Sequence, residues 1–271
     1  MKTLFSISVG IFAALLCFGA YAQFIDMSPI PDSTGIVGLK YSRASYKTDF
    51  FYDGPSGGSA VYKLYGMFPL RNGWTFNAEL PFVVAKDEGG DDSGFANAYF
   101  GFQRAIGTRG KSNFGFGLYL PLISSSDYIR PSVGIVSDVY GIFEFTEAIT
   151  IRLNYAHHHI AEKGVVYGFE IGPDIFFPTY SEGKTELLFH FAAKGGYAFG
   201  GFTAWAEIAN FVNTSSDSWI TDMMISKLVL GGQFTKPRLR PGIFYGIPLD
   251  ENTTGYTKST LHIKLDFVIG R

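Results

Sequence analysis

WTFNAELPFVV, the stretch from Trp74 to Val84, sets Trp74, Phe76, Ala78, Leu80, Phe82 and Val84 on one side of an extended chain and Thr75, Asn77, Glu79, Pro81 and Val83 on the other. Successive side chains of a strand point to opposite faces, so this period of two predicts a strand with one apolar and one mixed face. The pattern returns along the chain. Phe114, Phe116, Leu118 and Leu120 alternate with Gly115, Gly117, Tyr119 and Pro121, and Ile149, Ile151, Leu153 and Tyr155 alternate with Thr150, Arg152, Asn154 and Ala156. Tyr167, Phe169 and Ile171 then oppose Gly168, Glu170 and Gly172, and Leu261, Ile263, Leu265, Phe267 and Ile269 oppose His262, Lys264 and Asp266.

Alternation alone fits a water-soluble sandwich as well as a membrane barrel, and the content of the two faces decides between them. A soluble barrel points its apolar face inward and covers the outside with Lys and Glu. Here the second face is Gly, Thr, Asn and Tyr with isolated charges, which suits a small polar lumen, with the apolar face turned to lipid. The 27 Phe and 16 Tyr of the 271 residues fit lipid-facing strands with aromatic girdles. After the N-terminal segment no apolar run is long enough to cross a bilayer as a helix.

That N-terminal segment has Lys2, an apolar run from Leu4 to Leu16, and Ala20-Tyr21-Ala22, the pattern of a secretory signal peptide cleaved before Gln23. Residues 1–22 are therefore expected to be a signal peptide and 23–271 an outer-membrane β-barrel. A lipoprotein reading of Cys17 meets Leu16 where a small residue is wanted. Cys17 is the only cysteine, so the mature chain has no disulfide and no thiol chemistry. The formal net charge of -2 implies no nucleic-acid partner.

Connections fall into two classes. Short ones are Arg71 to Gly73, Gly107 to Ser112, Thr146 to Ala148, Phe199 to Gly201 and Thr235 to Arg238; long polar ones are Lys47 to Gly58, Lys86 to Ser93, Ile123 to Arg130, Asn213 to Asp222 and Asp250 to Ser259. Short periplasmic turns alternating with long external loops are the habit of outer-membrane barrels. Thirteen candidate strands can be marked out, whereas single-chain bacterial barrels have an even number. The alternation breaks between His157 and Tyr197, so the surplus is expected there, with Val165 to Pro178 as half of a hairpin above the membrane. At roughly 20 residues per strand and connection, about 12 strands are expected, with 10 and 14 as alternatives. The last strand runs to the end of the sequence, closing on Phe267-Val268-Ile269-Gly270-Arg271 rather than on an aromatic residue.

Three stretches carry a family resemblance. The first is Trp74 to Val84 with Glu79-Leu80-Pro81, followed after an acidic loop by Gly94-Phe95-Ala96-Asn97-Ala98-Tyr99-Phe100-Gly101; the second is Gly115 to Pro121; the third is Phe202 to Glu207. Together they resemble the outer-membrane transporters associated with phenol-degradation clusters, a group related to larger hydrophobic-compound channels. Ala96 and Asn97 depart from the Gly-x-Gly-Asp pattern of that family, and the Thr-Gly that often follows its Leu-Pro is absent. The resemblance implies a transport role and carries over no catalytic residue.

The inward charges are the candidate lumen-lining residues: Lys40, Glu79, Asp138, Glu144, Arg152 and Glu170 on the earlier strands, and Asp174, Lys194, Glu207, Lys264 and Asp266 on the later ones. Both signs occur, so they either pair across the lumen and fill it or line a path and set its selectivity. His157-His158-His159 has metal-ligating groups, but neighbours on a strand face opposite ways, which reads as a rim cluster without a dedicated metal. Asp87, Glu88, Asp91 and Asp92 lack EF-hand spacing and read as a solvated external loop. Ser137, His190 and His262 are joined by no hydrolase motif.

About 12 strands leave a narrow lumen, which inward Tyr119, Tyr140 and Trp205 narrow further. The expected function is passive uptake or efflux of small solutes, apolar or aromatic ones among them, through a bacterial outer-membrane channel that is not an enzyme and needs no cofactor. Its expected partners are outer-membrane lipids, the solute and the barrel-assembly machinery. A plugged barrel with a structural or adhesive role through its external loops is the alternative, and a barrel-embedded lipid hydrolase is the third.

Overall fold

The computed structural model describes residues 34–46, 59–87, 90–106, 112–123, 133–135, 137, 141–179, 183–214, 224–236, 238–250, 254–255 and 257–270. The expected signal segment 1–22 lies outside these residues, as do Glu88, Asp138 and Tyr140. The strands are β1 (Gly35–Tyr46), β2 (Ala60–Pro69), β3 (Trp74–Asp87), β4 (Gly90–Phe95), β5 (Ala98–Ile106), β6 (Ser112–Leu120), β7 (Ala148–His159), β8 (Lys163–Pro178), β9 (Glu186–Phe199), β10 (Phe202–Asn213), β11 (Met224–Phe234), β12 (Leu239–Pro248) and β13 (Thr257–Ile269). All pairings are antiparallel. The first strand closes on the last, from Gly35↔Ile269 to Tyr46↔Thr257, so the sheet is a barrel. Closure gives the backbone N–H and C=O groups partners within the sheet, a requirement in lipid.

The count settles at a closed ring of 12 strands, and the surplus segment is not where the sequence pointed. β8 is a full member of the wall, paired with β7 from Ala148↔Pro178 to His159↔Tyr167 and with β9 from Lys163↔Phe199 to Phe176↔Glu186. The surplus is at β4 and β5, which both pair with β3: Phe82↔Phe95 above and Glu79↔Tyr99 below. They are two halves of one strand interrupted at Ala96-Asn97, with the register slipping across the break as at a bulge.

Apolar alternation is outward, as expected. Leu64, Phe100, Phe116, Ile151, Ile171, Leu230, Ile243 and Phe267 stand exposed around the ring, while Lys40, Thr75, Asn77, Arg152, Glu170, Asp174, Lys194 and Glu207 are buried inside it. The chain is thus a transmembrane β-barrel of the outer-membrane type.

One end carries the short turns. Arg71–Gly73 turns tightly, with Asn72 at φ 60 and Gly73 at φ 73; residues 160–162 and 200–201 are further short turns among the described residues. The turn at 160–162, absent from the sequence reading, restores the alternation that seemed to break after His157. Thr146 to Ala148 is not a turn between strands; it ends the long connection from β6 to β7. Lys86 to Ser93 is mostly strand, since β3 runs to Asp87 and β4 starts at Gly90.

Candidate permeation site

The connection from β6 to β7 does not stay outside. Its final part forms a short helix, α1 (Gly141–Glu144), whose Phe143 and Glu144 are buried in the barrel. The Phe143 ring lies 4.9 Å from that of Phe211 on β10 and 5.7 Å from that of Tyr119 on β6. The next residue, Glu144, takes a hydrogen bond and ion pair from Lys63 on β2. In the ring order β2-β1-β13-β12-β11-β10 those two contacts fall on well-separated parts of the wall. Consecutive residues reaching both require that α1 crosses the lumen.

Asn97 staples this segment at both ends. Its Nδ2 donates to the carbonyl oxygens of Phe143 (2.9 Å) and Thr146 (2.6 Å), and its backbone N–H donates to the carbonyl of Glu144 (2.7 Å). Its Oδ1 accepts from the N–H of Leu122 at 3.1 Å, where the segment leaves β6. The strand break is what frees the Asn97 backbone for this role. Below it the Tyr99 ring lies across Gly101 and Gly117, where an added Cβ would come within 2.4 and 2.2 Å of ring atoms. Phe145 anchors the segment a second way, packed with Val61, Val83, Ala85, Ala96, Ile123 and Val133.

The charges form three groups. In the first, Arg152 Nε donates to Asp174 Oδ1 (2.8 Å) and Nη1 to the Tyr119 hydroxyl (3.3 Å). His190 Nδ1 lies 2.5 Å from Asp174 Oδ2, and its Nε2 lies 3.5 Å from Glu170 Oε1. Lys194 continues the line opposite Glu207 in the β9–β10 register. In the second group Lys264 pairs with Asp266 at 3.3 Å, and Asp266 also takes hydrogen bonds from Tyr65 and from Gln233 Nε2 (2.9 Å). In the third Lys63 bridges Glu144 and Glu79, the latter at 3.2 Å. Lys40 sits in register between Lys63 and Lys264. Taking ions out of water is costly unless each is paired, and within each of the three groups a cation lies against a carboxylate accordingly.

Ten of the expected lining residues are therefore inside the barrel, and Asp138 lies outside the described residues. Glu144 is there on the crossing segment rather than on a strand. Lys63, Asn97, Phe143 and Lys227 were missed. Lys63 was legible, since Val61-Lys63-Tyr65 alternates with Tyr62 and Leu64. Asn97 was marked only as a departure from the family pattern. Nothing in a period of two points to Phe143.

The remaining candidates separate. His158 is buried inside, while His157 and His159 face out and pack on Tyr167 at 5.9 and 4.8 Å. His262 is held by Ser42 (2.8 Å) and Thr260 (2.9 Å) and His190 by Asp174, while Ser137 is buried on the crossing connection.

No family model matches the sequence. No curated protein matches it either. Among solved structures, the COG4313 outer membrane channel from Pseudomonas putida F1 is similar over 92% of this chain and 100% of its own, with a TM-score of 0.55 at 12% identity. The monoaromatic hydrocarbon channel CymD aligns over 89% of each chain (TM-score 0.46, 7% identity). The Pseudomonas putida toluene transporter TodX aligns over 93% of this chain and 94% of its own (TM-score 0.42, 10% identity). At such identities the first likeness establishes the fold alone, a closed β-barrel of the outer-membrane type.

Proposed function

We propose that the chain is a bacterial outer-membrane channel for passive movement of small hydrophobic or aromatic solutes, with residues 1–22 removed as a signal peptide and 23–271 forming the barrel. The observation that carries this reading is the crossing segment. The lumen is crossed by an element that is not part of the wall, held to it by Asn97, Lys63 and ring contacts. A barrel meant only as a membrane anchor is closed by its strand side chains, and a separate closing element is what a gated path requires.

The inward charges Lys40, Glu79, Asp138, Glu144, Arg152, Glu170, Asp174, Lys194, Glu207, Lys264 and Asp266 are read as the polar lining. With charges neutralised in pairs, such a lining gives little reward to a charged solute and favours a neutral one. The resemblance to transporters of phenol-degradation clusters supports an aromatic solute, and the Pseudomonas putida structure is itself that of a channel. Lipids of the outer membrane and the barrel-assembly machinery are the partners this reading expects. It gives the chain no enzymatic role.

The alternative is a permanently plugged barrel with a structural or adhesive role, favoured by the near-complete burial of the inward side chains. Conductance of refolded residues 23–271 in a planar bilayer decides between them. Discrete openings blocked or altered by an added aromatic solute support the channel, and a tight seal from a heat-resistant folded barrel supports the plug.

A further inference from the structure

The nest around Phe143 has the composition of a ligand site. The ring is fully buried, with the Arg152 guanidinium carbon 5.0 Å from its centroid, Phe211 edge-on at 4.9 Å and interplanar angle 72°, and Tyr119 tilted at 5.7 Å. These are the approaches a π system prefers: an edge-to-face neighbour and a cation over the face. Arg152 is also within 5.5 Å of the Tyr119 centroid and 6.0 Å of that of Phe211. Three wall strands, β6, β7 and β10, thus converge on one ring. That ring is supplied by a residue that belongs to no strand.

We propose that this nest is an aromatic-solute site occupied by the chain's own Phe143, and that a solute ring displaces Phe143 and so releases the crossing segment. The proposal rests on the channel reading and names its substrate class: a neutral single aromatic ring. Neutrality follows from Asp174, which already takes the Arg152 charge through Nε, leaving the guanidinium face to a ring rather than to an anion. Size follows from the present occupant, one benzene ring. The device is competitive, because Phe143 and the solute exclude one another; the apparent affinity of the intact protein is lowered by the fraction of time that Phe143 fills the nest.

The test uses fluorobenzene as probe and refolded full barrels in detergent, with ¹⁹F line broadening as readout. Phe143→Ala should bind the probe saturably and about tenfold or more tightly than the wild type. The double variant F143A/F211A, which removes a wall of the nest, should show only the non-saturable partition into detergent. Equal affinity in wild type and F143A, or saturable binding that survives in F143A/F211A, overturns the proposal. Should F143A fail to give a heat-modifiable barrel, Phe143→Val is measured in its place with the same expectations, since it keeps an apolar contact while leaving the volume of the ring vacant. Bilayer recordings separate this proposal from the reading it rests on. Conductance without saturable probe binding sinks the nest and leaves the channel standing, whereas tight probe binding to F143A in a barrel that never conducts supports the nest and sinks the channel.

Discussion

The barrel wall and the segment that crosses it are held by different means. The wall is a ring of continuous antiparallel ladders, such as the unbroken β9–β10 register from Thr203↔Ala198 to Asn213↔Leu188, stiffened inside by buried ion pairs. The crossing segment has four described helical residues at its end, the staple of Asn97, the Lys63–Glu144 pair and the ring contacts of Phe143 and Phe145. Breaking a ladder leaves backbone groups unpaired in lipid; withdrawing the segment breaks side-chain contacts and leaves the ring intact. The two regions therefore differ in what a mutation reaches: wall substitutions act on stability, and segment substitutions act on closure.

The sharpest test of the wall is Asp174→Ala. It strands the buried Arg152 guanidinium without its carboxylate, and the barrel should lose about 3–5 kcal/mol, read as a lower urea midpoint on unfolding from vesicles. A loss under about 1 kcal/mol would mean that the pair does not hold the wall. Phe116→Arg, on the exposed face of β6, should cost about 2–4 kcal/mol if it faces the bilayer core; a neutral result in the same assay would contradict a lipid-facing exterior.

Asn97→Ala tests the other side of the comparison. It removes the side-chain bonds to Phe143, Thr146 and Leu122, each worth about 1 kcal/mol, so open probability in bilayers should rise at least about tenfold while the unfolding midpoint of the wall moves little. A closed channel with a lowered midpoint would show that Asn97 serves the strand break rather than the segment. Glu144→Gln keeps the shape and weakens the tie to Lys63, with an expected shift of about 1 kcal/mol toward opening, read as a several-fold gain in open probability. The smallest effect belongs to His157→Phe on the outer face beside Tyr167 and Phe169. Stability should stay within about 0.5 kcal/mol, measured by the same urea titration, and conductance should be unchanged.

The two regions were unequally legible in the sequence. Strand periodicity marked the wall because lipid outside and polar groups inside impose a period of two on every strand, and the inward charges followed from the same parity. Where that parity was interrupted the reading slipped. The turn at 160–162, with no turn signal read there, broke the alternation of turns and loops and made β8 look like a doubtful hairpin, though its Gly168 and Gly172 face inward beside His158 and His190, where a Cβ would meet neighbours at 2.8 Å and 1.7 Å. Ala96-Asn97, read as a departure from a family motif, conceals a one-residue slip that splits one strand into two apparent ones.

What the sequence determined by itself is the barrel, its outward apolar face and most of the inward charges on its strands, because these depend on local alternation that any strand of the chain displays. Only the tertiary structure decided that Phe143 and Glu144 lie across the lumen, that Asn97 holds them and that Lys63 answers Glu144 across 81 positions of sequence. Those contacts join residues with no shared periodicity. They exist because ring closure brings β2, β6 and β10 around one small interior, and no local pattern encodes which side chain will fill it.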